Sequence, residues 1–207
     1  VFSSIDSGGR YAYGNQPTIA RWNLARFAET LLPLFDESEP DRAVAKATDV
    51  IEAFFPRYET FWLSAARAKL GLTTAVDDHG DRQLAADWLN LLEQHAVDFT
   101  LGWRRLADAA EDNPELLEAL FPSADAVRPW LERWHCRLAQ QPSAKTAEAM
   151  RAVNPIYVPR NHLVEDALAA ASEESDLSLF ERLLDVIADP YQERPGLEDY
   201  AQPAPHE

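Results

Sequence analysis

The sequence predicts an all-α protein with an irregular N-terminal arm. Three observations support this. Apolar residues recur at helical spacing from residue 17 to residue 188. Helix-opening and helix-closing residues punctuate that pattern at short intervals. No alternating apolar and polar run suggests a strand, except short stretches near 1–5 and 156–158.

The elements follow in order. Residues 1–16 crowd Ser3, Ser4, Ser7, Gly8, Gly9, Tyr11, Tyr13, Gly14 and Asn15, a composition for an ordered loop. Pro17 suits a first helical turn, and Ile19, Trp22, Asn23, Arg26, Phe27 and Thr30 follow until Pro33 is expected to interrupt. Asp41 is expected to cap a helix bearing Val44, Ala47, Val50, Ile51 and Phe54, with Pro56 ending it. Tyr58, Phe61, Trp62, Ala65 and Ala68 form the next stripe, stopped by Gly71. Residues 73–80 read as a polar loop before a helix with Leu84, Trp88, Leu91, Leu92 and His95. Asp98 caps the next helix, and Asn113-Pro114 opens a short one. Residues 123–140 carry Val127, Trp130, Leu131, Trp134 and Leu138, with a break expected at Pro129. Ser143 caps a helix to about Val153, and 154–161 is a connector. Helices over 162–171 and 176–188 come last. The division is an arm over 1–16, one helical domain over 17–189 and an extended surface tail over 190–207.

Composition removes several function classes. The net charge of −16 disfavours phosphate backbones and anionic lipid surfaces, so neither nucleic acid nor membrane is an expected partner. No apolar run reaches the length of a membrane span, and a cytoplasmic location is expected. A single cysteine, Cys136, rules out an intramolecular disulfide. The first residue is Val1 where translation places Met, so the chain is expected to be processed or cut from something longer.

No catalytic constellation emerges. Gly8, Gly9 and Gly14 fit neither glycine-rich nucleotide fingerprint. His135 and Cys136 are neighbours on a helix and point apart, so Cys136 reads as a packing residue. His162, Glu165 and Asp166 lack the second motif of a two-metal site. Asp77-Asp78-His79-Gly80-Asp81 lacks calcium-loop spacing and reads as a solvated turn. Glu37, Glu39 and Asp41 are explained by a helix start. Two polar clusters remain: Arg10, Tyr11, Tyr13, Asn15, Gln16 and Asn23, and Asn154, Pro155, Tyr157, Pro159, Arg160, Asn161 and His162. Physically, both read as loops locked by side-chain hydrogen bonds. Residues alone leave open a free-standing acidic helical interaction module without catalysis.

Those clusters carry a resemblance. The segment Gly9-Arg10-Tyr11-Ala12-Tyr13-Gly14-Asn15-Gln16-Pro17, continued by Trp22-Asn23-Leu24-Ala25-Arg26, resembles the SelO family of protein adenylyltransferases. Lys69-Leu70-Gly71-Leu72, Asp98-Phe99-Thr100, Trp130-Leu131-Glu132-Arg133-Trp134, Asn154-Pro155 and Pro159-Arg160-Asn161-His162 follow in the family's order. The resemblance implies a protein-kinase-like fold, of which this chain is the helical C-lobe. It implies AMP transfer from ATP to Ser, Thr or Tyr hydroxyls of protein substrates, with Mg²⁺ or Mn²⁺. The nucleotide, metal and catalytic residues would lie upstream, in a kinase-like N-terminal half. No catalytic, cofactor-binding or metal-binding residue is therefore expected in this chain, and none of those cofactors is expected to bind it alone. Arg10, Tyr11 and Asn15 are the candidates for facing the active site. The redox-active C-terminal Cys of many members has no counterpart in Pro205-His206-Glu207, and Cys136 does not match its position.

Overall fold

The computed structural model describes residues 6, 8–36, 39–142 and 145–204. Among the described residues every regular element is helical and no strand occurs. The stretch at 156–158 is a non-strand connector; residues 1–5 lie outside the described set, as do Ser7, Glu37, Ser143 and the terminal Pro205-His206-Glu207. The chain forms two compact units, Val1–Ser64 and Ala65–Glu207.

In the first unit a 3-10 turn, Tyr13–Asn15, leads into α1 (Gln16–Phe35), α2 (Pro40–Glu52) and the first part of α3 (Phe54–Lys69). Pro17 stands in the first turn of α1 as expected. Pro33 does not stop the helix: its ring removes one bond near the exposed end, and Asp36 N–H still donates to the Leu32 carbonyl (3.4 Å). Glu39 rather than Asp41 is the N-cap of α2, because Pro40 occupies the first helical position where its missing N–H is harmless. Pro56 does not terminate α2, which ends at Glu52; it lies in the opening turn of α3.

The second unit contains α4 (Asp78–Gln94), α5 (Phe99–Ala109), α6 (Glu115–Glu118), α7 (Ala124–Leu138), α8 (Thr146–Arg151), α9 (Asn161–Ala169), α10 (Ser178–Ala188) and α11 (Glu198–Ala201). Gly71 closes α3 with φ +72°, and Leu72 N–H reaches back to the Arg67 carbonyl (2.8 Å). A Cβ at Gly71 would stand 2.7 Å from Thr146 Cγ2 and 2.8 Å from Met150 Sδ, so glycine also permits α8 to pack here. Asp77 caps α4 by accepting the His79 N–H (3.1 Å), so the loop expected over 73–80 ends earlier. Asp98 caps α5 through the Leu101 N–H (2.9 Å). Pro114 replaces Asn113 as the N-cap of α6. Pro129 lies inside α7, which continues because Val127, Trp130, Leu131 and Trp134 remain buried along one face.

The second unit's core is rich in tryptophan. Trp88 is fully buried and packs against Trp130 (4.5 Å between centroids), Trp103 and Phe121. The Trp130 indole N–H donates to the Leu84 carbonyl and that of Trp134 to the Leu70 carbonyl. Cys136 is exposed and is not a packing residue: the inward face of α7 is taken by Trp130 and Trp134.

The segment after Pro190 is not an extended surface strip. Leu197 and Ala201 join Leu101, Ile156, Tyr157 and Val186 in one buried cluster. Both Ile156 and Tyr157 donate backbone N–H bonds to the Pro190 carbonyl (2.8 and 3.3 Å). Helix formers are few here, but Leu197 and Ala201 bury apolar surface against Leu101 of α5, which favours the inward course.

Candidate functional site

The N-terminal loop is built around a residue the sequence reading passed over. Asp6 accepts the backbone N–H of Arg10 on one carboxylate oxygen (2.7 Å) and that of Tyr11 on the other (2.8 Å). Gly9 takes a left-handed conformation (φ +65°), which turns the chain back on itself. Asn15 then donates its amide to the Gly9 carbonyl (2.8 Å). Arg10, Tyr11 and Asn15 are all exposed, and it is the Asn15 amide that holds the loop closed. The Arg10 guanidinium lies over the Trp22 ring (5.1 Å) and the Tyr11 ring (5.7 Å). Arg26 approaches Trp22 too (5.8 Å) and pairs with Glu29 (2.5 Å). Both rings lie within cation–π reach of the Arg10 guanidinium. Trp62 donates to the Tyr13 hydroxyl (3.3 Å), fixing the far side of the loop to α3.

The second polar cluster is in the other unit and is inward-facing. Lys69 donates to Asn154 Oδ1 (3.0 Å), and the Asn154 amide returns a bond to the Lys69 carbonyl (3.0 Å). Asn154 is fully buried, and burial lowers the Lys69 pKa. Arg104, also buried, donates to the Arg151 and Asn154 carbonyls (3.1 and 3.0 Å) and to Glu193 (3.2 Å). Arg160 holds Asp98 through two parallel bonds (2.6 and 3.0 Å) and reaches the Ala201 carbonyl (3.2 Å). Tyr157 OH accepts the Arg194 N–H (2.9 Å). The motif residues Lys69, Asp98, Asn154 and Arg160, far apart in sequence, therefore serve one purpose: they tie the 154–161 connector to α3, α5 and the C-terminal segment. His162 is half-buried, with Nδ1 lacking a hydrogen-bond partner among the described residues.

A third polar group corrects the reading of 77–81 as a solvated turn, because Asp81 is buried. The Asp81 carboxylate is fully buried and clamped between Arg67 Nε (2.7 Å) and Arg137 Nε (2.6 Å). Arg67 also pairs with Asp78 (2.6 Å), and Arg137 donates to the Thr74 carbonyl (2.6 Å). Burial alone would raise the Asp81 pKa; the bonds from Arg137 and Arg67 outweigh it and hold the carboxyl below its ordinary range. The acidic run over 77–81 is thus a helix start with a buried ion triad. The separation of 56 positions between Asp81 and Arg137 left no local signal for the pairing.

Among the described residues no three His, Cys, Asp or Glu side chains converge as a cation would require. The His162, Glu165, Asp166 group and the 77–81 run form no such donor set. These described residues do not fit a metal–nucleotide centre.

Comparison with known proteins now adds what geometry does not. The sequence model of the family described as protein adenylyltransferase SelO matches residues 1–188. This chain belongs to the SelO family. The protein nucleotidyltransferase YdiU of Chromobacterium violaceum is 56% identical over 206 residues, covering 99% of this chain and 43% of that protein. Those of Rhizobium etli and Cereibacter sphaeroides are 51% and 53% identical, with 42% and 41% of their lengths covered. The SelO chain described here thus spans about two fifths of the curated relatives it matches. The family match ends at residue 188, yet Leu197 and Ala201 complete the SelO core beyond it. No helix among the described residues is long and apolar enough to cross a membrane.

Proposed function

We propose that this chain is the C-terminal helical part of a protein adenylyltransferase. The whole enzyme transfers AMP from ATP to Ser, Thr or Tyr hydroxyls of proteins, using Mg²⁺ or Mn²⁺. The chain is the helical C-lobe of a kinase-like fold, and the nucleotide, metal and catalytic residues stand upstream of it. The observation that carries this reading is the SelO match through residues 1–188 of a chain that spans only 43% of a relative named a protein nucleotidyltransferase. Nucleotidyl transfer needs positioned cations and donors around the phosphates, and a helical scaffold alone does not supply them.

Within this reading Arg10 and Tyr11 face the active site on a loop held by Asp6 and Asn15. Their exposure, and the backbone bonds from Asp6 that fix this loop, support this.

The test compares two proteins: the 207-residue chain and a polypeptide extended upstream to the length of the relatives. Each is incubated with α-labelled ATP, Mg²⁺ or Mn²⁺ and a carrier protein. The extended protein should label protein with AMP and the chain alone should not. Labelling by the isolated chain would overturn the division of labour. Arg10→Ala in the extended protein should lower kcat/KM with its thermal midpoint unchanged; unaltered kinetics would remove Arg10 from the site.

A further inference from the structure

Helix α1 is twenty residues long, and not one of its residues is buried. A helix of this length in water depends on burying an apolar stripe rather than on propensity. Its Leu24, Phe27 and Leu31 follow helical spacing and face Tyr58 and Phe61 of α3 across a groove of about 530 Å³, floored in part by Val50 of α2. Phe27 is 60% exposed, Val50 67% and Phe61 74%. Such a contiguous apolar surface marks an interaction site rather than scattered surface residues. The lining holds one charged group, Arg57, whose guanidinium has no carboxylate partner among the described residues.

We propose that this groove is the docking seam for an amphipathic helix from the remainder of the longer polypeptide, carrying a carboxylate opposite Arg57. The proposal rests on the reading that these residues are part of a longer protein. Three observations select this occupant. More than half the length of the relatives lies outside this chain, so a covering segment is available in the same molecule. A tethered segment acts at high effective concentration and needs little intrinsic affinity. A second copy is disfavoured because each chain carries a net charge of −16. The groove stripe on α1, from Leu24 to Phe35, runs about 16 Å at 1.5 Å per residue, the span of three helical turns.

The test is thiol accessibility in a Cys136→Ser background. Phe61→Cys, and separately Val50→Cys, are introduced into the 207-residue chain and into the polypeptide extended to the length of its relatives. Maleimide labelling of either cysteine should be at least tenfold slower in the extended protein, as a fold protection factor. Adding Arg57→Glu should restore fast labelling there. Equal rates in the two proteins would overturn the proposal. So would slow labelling in the short chain, which places the cover in this chain itself, or in a dimer if its mass doubles in solution. AMP transfer is measured on the same samples. Protection without transfer keeps the seam and removes the enzyme reading, and transfer without protection does the reverse.

Discussion

Asp81 shows how much one side chain can hold when its partners come from different helices. Its carboxylate has no solvent exposure and takes bonds from both Arg67 and Arg137. Removing one member of such a group leaves buried charge uncompensated, so Asp81→Asn should destabilise the chain by about 3–5 kcal/mol in urea unfolding. Its pH dependence has a definite sign. The folded pKa lies below the unfolded value of about 3.9. The stabilisation is therefore complete above that value and is lost as pH falls through the folded pKa. Asp81→Asn should flatten the acid limb of the stability profile, measured by denaturant midpoints between neutral pH and the onset of acid unfolding. At Gly71 the constraint is steric. With φ at +72° and Met150 Sδ within 2.8 Å of a new Cβ, Gly71→Ala should cost about 1–3 kcal/mol. An unchanged midpoint would mean that α8 yields easily.

At the scale of elements, helical periodicity made most of the architecture legible. The Trp130–Trp134 face of α7, the Asp98 cap and the Gly71 stop were all readable, because each is a local pattern with a local physical cause. Prolines were misread wherever position within the helix decided their effect. Pro33 and Pro129 sit inside helices, and Pro56 opens one. Pro33 is exposed and deprives the Glu29 carbonyl of its donor, so Pro33→Ala should stabilise α1 by about 1–2 kcal/mol, read as a higher thermal midpoint. The site was half legible. Arg10, Tyr11 and Asn15 stand exposed together on one loop, but only the structure shows that the Asn15 amide closes it. Asp6 and the Asp81 clamp escaped notice because an acid among thirty-five gives no sign of its partner. The exposure of Cys136 was missed because helix phase cannot be fixed from one small residue between two large ones.

At the scale of the molecule, the C-terminal segment is a structural member of the second unit. Truncation after Asp189 removes Leu197 and Ala201 from the core, Glu193 from Arg104 and the carbonyl that anchors Arg160. Such a truncation should leave the chain unfolded or prone to association, visible as loss of a cooperative thermal transition. A truncated chain that melts like the parent would show that the family-matched range folds by itself.

That dependence has a temporal side. The Pro190 carbonyl receives the N–H groups of Ile156 and Tyr157, and Leu197 fills the space beside Leu101, almost a hundred residues earlier in synthesis. A ribosome delivers these partners long after α5. Until residues 190–201 clear the exit tunnel, α5 and the connector after α8 must wait with an open apolar flank, so the second unit cannot close before they emerge.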